Sequence, residues 1–131
     1  MLKRTTFFFL VIFLVFSISF GFAESIQPYA DSVFMSAYIS LANTRDATFV
    51  GKTYDEQASI YVTSCTLQKK DSSGWFHFCN LPSPPEVCTN TYTYGGWADY
   101  ASFIGVGTYR IKATFNADGY EITRYSNERS F

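Results

Sequence analysis

Cys65, Cys79, Cys88 and the lone histidine His77 are the side chains here best suited to redox, metal or nucleophile chemistry. Three thiols close together admit one disulfide and one leftover thiol wherever the surroundings oxidise. Cys79 and Cys88 bracket the segment Pro82-Ser83-Pro84-Pro85. A bridge between them closes a loop of roughly ten residues and stabilises by about 2–3 kcal/mol. That is the expected pair. Cys65–Cys79 competes with it, because a turn centred on Ser72 sets those two opposite each other in a hairpin; three reduced thiols are the remaining alternative. His77 sits inside a strand pattern, Trp75 to Leu81, with no nucleophile, base or metal-spaced ligand beside it. A strand-face histidine without a chemical task is the expectation. A metal held by Cys65, His77 and Cys79 would have to compete with thiol oxidation. We therefore expect no catalytic residue, no metal and no cofactor.

The carboxylates give no richer signal. Asp31, Asp46, Asp55, Glu56, Asp71, Asp99 and Asp118 are scattered among turns, without the dense Asp/Asn-and-Gly loop that calcium requires. Asn43 and Asn90 lie outside any glycosylation frame. The most unusual stretch is Thr91-Tyr92-Thr93-Tyr94-Gly95-Gly96-Trp97-Ala98-Asp99-Tyr100. Tyr92, Tyr94, Trp97 and Tyr100 are candidates for an exposed platform of the kind that stacks on sugars or supplies binding hot spots. Strand alternation puts Tyr92 and Tyr94 on one face, so a place in the core is the competing reading. Trp75 is expected inside.

These residues need strands to position them. Val33, Met35, Ala37, Ile39 and Leu41 alternate with Ser36, Tyr38 and Ser40 and predict a strand whose odd positions face the core. Asn43 to Asp46 reads as a turn, Ala47 to Tyr54 as a strand, Asp55-Glu56-Gln57 as a loop, and Ile60 to Lys70 as a longer strand. Asp71-Ser72-Ser73-Gly74 is the strongest hairpin signal. The prolines make Leu81 to Glu86 a stiff loop. Val87 to Tyr94 and Trp97 to Ile104 read as two strands separated by Gly95-Gly96. Tyr109, Ile111, Ala113 and Phe115 then alternate cleanly, and Asn116-Ala117-Asp118-Gly119 turns the chain into Tyr120 to Tyr125. Seven or eight short antiparallel strands predict an all-β, immunoglobulin-like β-sandwich.

Ahead of the domain, Lys3 and Arg4 precede an apolar run from Phe7 to Phe22, and Gly21-Phe22-Ala23 supplies small residues at −3 and −1. This reads as a secretory signal cleaved between Ala23 and Glu24. The run spans roughly 24 Å, short of the ~30 Å membrane core. Residues 24–31 form a short polar lead-in and 32–131 the β-sandwich domain. Removing Lys3 and Arg4 leaves 8 basic against 11 acidic residues, a net charge of −3. That composition argues against nucleic acid or anionic lipid as a partner. Seven of the fourteen phenylalanines lie in the leader, while all ten tyrosines lie after it.

Gly107-Thr108-Tyr109-Arg110-Ile111 resembles the start of strand F in an immunoglobulin-like domain, where a tyrosine bonds back to the preceding corner. With Thr63-Ser64-Cys65-Thr66-Leu67-Gln68-Lys69-Lys70 and Tyr125-Ser126-Asn127, the chain resembles small, largely uncharacterised secreted proteins of Gram-positive, clostridia-like bacteria. The resemblance implies an exported immunoglobulin-like sandwich and no activity. The functional expectation is a secreted, monomeric, non-enzymatic domain that binds a glycan or a protein. A bacteriocin-like or toxin-like effector is the alternative.

Overall fold

The computed structural model describes residues 32–131, so the leader, its Ala23–Glu24 junction and the lead-in lie outside the described residues. The described chain is all-β and antiparallel. Its strands are β1 (Phe34–Leu41), β2 (Asp46–Asp71), β3 (Gly74–Leu81), β4 (Val87–Asp99), β5 (Thr108–Ala117), β6 (Tyr120–Tyr125) and β7 (Arg129–Ser130). All seven belong to one sheet, and β2 is its spine. The first half of β2 lies between β1 and β4; its second half lies between β3 and β5. β6 and β7 extend the sheet beyond β5.

A 26-residue strand is far longer than usual. It survives because it bends. Pairing with β4 jumps from Lys52↔Thr93 to Gln57↔Thr91, leaving a bulge where a loop is expected from Asp55-Glu56-Gln57. The buried Thr53 hydroxyl and the Gln57 amide both donate to the Asp55 carbonyl, at 2.7 and 3.1 Å. Asp118 holds the far side: its carboxylate accepts from Ala58 N and Ser59 N at 2.8 and 2.9 Å. Asp118 and Gly119 have φ of 49° and 90°, the left-handed pair of a two-residue hairpin turn.

The bend curls the sheet so that its two halves face each other. Phe49 from the first half meets Phe115 from the second with ring centroids 6.5 Å apart, and Tyr94 meets Phe115 edge-on at 6.1 Å. Ile39, Leu41 and Ala47 fill the core from one side; Ile60, Leu67, Ile111, Ala113 and Ile122 fill it from the other. The curl is closed by side chains. Asn127 accepts from Leu41 N at 2.8 Å and donates to Leu41 O at 3.0 Å, and the Arg129 guanidinium donates to the same carbonyl at 2.7 Å.

Three local expectations are corrected. A bulge between Phe34 and Ser36 reverses the alternation at the start of β1, so Phe34 is buried and Met35 is exposed. Gly95-Gly96 does not end a strand: β4 runs through it to Asp99. The segment from Tyr100 to Gly107 is loop, where a strand to Ile104 is expected.

Candidate functional site

The four-residue aromatic platform does not assemble. Tyr94 and Tyr100 are buried, at 2% and 0% exposure, whereas Tyr92 and Trp97 are exposed. The two inner tyrosines do a different job. Tyr100 donates to the Pro82 carbonyl at 2.7 Å and Tyr94 to the Glu86 carbonyl at 3.2 Å, so each clamps one end of the proline segment from below. Gly96 makes room for this: a Cβ there would collide with the Tyr94 hydroxyl. Burial pushes both phenols well above the usual tyrosine range, with Glu86 adding to the effect at Tyr94.

A smaller outward face takes the platform's place. Pairing aligns Ser40, Thr48 and Trp97 across β1, β2 and β4, and next to them Tyr38, Val50 and Gly95. Trp97 and Tyr38 are about half exposed and lie diagonally across Val50 and Gly95. Space above Gly95 is open. The indole is fixed in place, since its Nε1–H donates to Asp46 at 2.9 Å. Asp46 also takes the Thr44 hydroxyl, and these two donors, Thr44 first, hold its carboxyl below the usual range. The main-chain N–H of Trp97 donates to the Glu86 carboxylate at 3.3 Å, which blunts this part of the β4 edge. An exposed ring held in place beside the hydroxyl residues Thr48 and Ser40 suits stacking on a sugar face. Tyr92 lies outside this group, near the bulge. Tyr38 was readable as a solvent-face aromatic in an alternating strand; its partnership with Trp97 depends on register.

All three cysteines are free, so the expected Cys79–Cys88 bridge is corrected. Cys79 stands opposite Leu67 and Cys88 opposite Ile60 on the same edge of β2. Seven residues of strand separate those positions, roughly 20 Å, against the ~7 Å between Cα atoms that a disulfide tolerates. The rival pair fails on register. Cys65 faces Leu81, leaving Cys79 on the diagonal, roughly 7–8 Å away. Burial pushes the Cys65 thiol up to about 11, partly opposed by its 3.5 Å contact with the Tyr100 hydroxyl. It is a core thiol, neutral at physiological pH. Burial also raises Cys79.

His77 lies on the outer face of β3 opposite Gln68 and lines a concavity of about 320 Å³ with Ser64, Thr66, Gln68, Lys112, Thr114 and Thr123. Among the described residues, no three His, Cys, Asp or Glu side chains are grouped to hold a metal. Trp75, expected inside, is half-buried on this outer face beside Arg110. Tyr109 is buried at the start of β5, and its hydroxyl donates to the Val106 carbonyl at 3.3 Å, back across the turn at Gly107.

No family model, curated protein or solved structure matches this chain.

Proposed function

We propose that this protein is an exported, non-enzymatic immunoglobulin-like domain that binds a glycan at or near the bacterial surface. The observation that carries the reading is the pair Trp97 and Tyr38, two exposed rings set diagonally across Val50 and the open Gly95 position on one outward sheet face. Preorganisation supports it, because the Asp46 hydrogen bond removes rotamer freedom that binding would otherwise have to freeze. Thr48 and Ser40 in the same row offer hydroxyls to a sugar's edge. The immunoglobulin-like reading draws on the Tyr109 bond across its corner. Export draws on the leader composition. A glycan array probed with the chain and with Trp97→Ala tests the proposal. Binding of a neutral glycan by the wild type that falls at least about tenfold in the variant supports it, a stacking contact of that size being ordinary. Absence of any neutral-glycan signal, or equal signals from both proteins, overturns it.

A further inference from the structure

The outer face of the second half-sheet carries a different kind of group. Five positions of β5 and β6 and two of β3 flank the second half of β2, and their outward side chains form successive rows. His77, Gln68 and Arg110 make one; Asn80, Thr66, Lys112 and Tyr125 the next; Ser64, Thr114 and Thr123 the last. Arg110 is held unusually tightly. Its guanidinium carbon lies 4.4 Å from the Trp75 ring centroid and 4.3 Å from that of Tyr125. Its Nε–H donates to Gln68 Oε1 at 2.7 Å. Lys112 stands 6.0 Å from the Tyr125 centroid and lines the concavity below.

Neither cation is neutralised. Among the described residues the ion pair is Lys70–Glu128, at 3.6 Å, and Arg110 and Lys112 have no carboxylate partner. Glu121 lies on this sheet beyond Thr123, beside Asn116 rather than beside the cations. An arginine fixed by two rings and one amide still has both terminal nitrogens to offer, in a fork that matches an oxyanion. The floor next to it is lined with hydroxyls: Ser64, Thr66, Thr114 and Thr123. Two unpaired cations over four hydroxyls and an amide match a saccharide that carries acid groups.

We infer that this face is a second binding site, for the carboxylate or sulfate groups of an acidic polysaccharide. Arg110 takes the acid group, Lys112 adds charge, and the threonine-lined hollow receives the sugar hydroxyls. Stacked nucleobases fit it less well, because the guanidinium occupies ring faces of Trp75 and Tyr125 that bases would need. The site is independent of the Trp97 face and stands if that proposal fails.

The test is titration calorimetry of the full chain at low salt against polygalacturonate, a sulfated glycosaminoglycan, neutral dextran and oligothymidylate. The expected result is binding to at least one acidic polysaccharide, weakened by salt, with no binding to dextran. Lys112→Gln reduces the affinity at least about tenfold, and Arg110→Lys reduces it although charge is kept, because the fork is lost. Unchanged melting of Lys112→Gln and binding unchanged in Trp97→Ala tie the effect to this site. No binding to either acidic polysaccharide, or equal binding by Lys112→Gln, overturns the inference. Oligothymidylate binding as tight as polysaccharide binding overturns it in favour of nucleic acid.

Discussion

On the first half-sheet β2 turns Thr48, Val50 and Lys52 outward; on the second it turns Ser64, Thr66, Gln68 and Lys70 outward. The neighbours diverge further. Beside Thr48 and Val50 stand Trp97 and Tyr38, each about half exposed. Beside Gln68 and Thr66 stand Arg110 and Lys112, with Trp75 and Tyr125 turned against the guanidinium. Aromatic residues are therefore used differently on the two faces. On one they stand exposed to solvent, and on the other they brace a cation. The chain's net charge of −1 averages the two and hides the second. What a whole-chain charge excludes, a local row of cations readmits.

The largest effect comes from breaking the joint that the two halves share. Phe115 packs against both Phe49 and Tyr94, and Phe115→Ala is expected to cost about 3–5 kcal/mol in urea unfolding. Both faces should lose binding together, since neither half is covered without the other.

Alkali should strike the interior next. Cys65, Tyr94 and Tyr100 have raised values in the folded chain, against 9.0 for the thiol and 10.0 for the phenols when unperturbed. Below pH 9 all three are neutral in both states, so their stabilisation is fully present. As pH rises further the unfolded chain loses these protons first, and stability falls by on the order of 1 kcal/mol per pH unit for each group. Melting between pH 8 and 11 checks this. Tyr100→Phe should flatten the decline above pH 10, while a profile identical to wild type would remove Tyr100 as a contributor.

A smaller effect is expected at the bend. Asp118→Ala removes the acceptor for Ala58 N and Ser59 N and should cost about 1–3 kcal/mol. Hydrogen exchange should rise at those two amides while Leu67 and Ile111 stay protected. Uniform loss of protection would mean that the halves do not open separately.

The alternation of Tyr109, Ile111, Ala113 and Phe115 made β5 legible, and turn chemistry at Ser72-Ser73 and Asp118-Gly119 placed two hairpins. What misled was local chemistry overruled by register. Asp55-Glu56-Gln57 is polar enough for a loop, yet a strand absorbs it as a bulge once flanking residues are paired on both sides. Gly95-Gly96 reads as a stop, but β4 runs on and needs a glycine at 96 so that the Tyr94 ring can lie over it. Met35 fell on the wrong side through one bulge. The cysteines illustrate the same limit: closeness in sequence across the proline loop is distance in space, because β3 and β4 leave one edge of β2 end to end. Of the candidate site, Trp97 was visible. The outward place of Tyr38 was legible too, but its alignment with Trp97 and the bracing of Arg110 were not, since each depends on a neighbouring strand.

Two distinct faces on one spine is the central claim, and one binding matrix tests it directly. Wild type, Trp97→Ala and Lys112→Gln are each titrated with a neutral and an acidic polysaccharide. The prediction is a crossed result, with Trp97→Ala losing only the neutral ligand and Lys112→Gln only the acidic one. Loss of both ligands in either variant while its melting is unchanged, or of neither ligand in both variants, would contradict it.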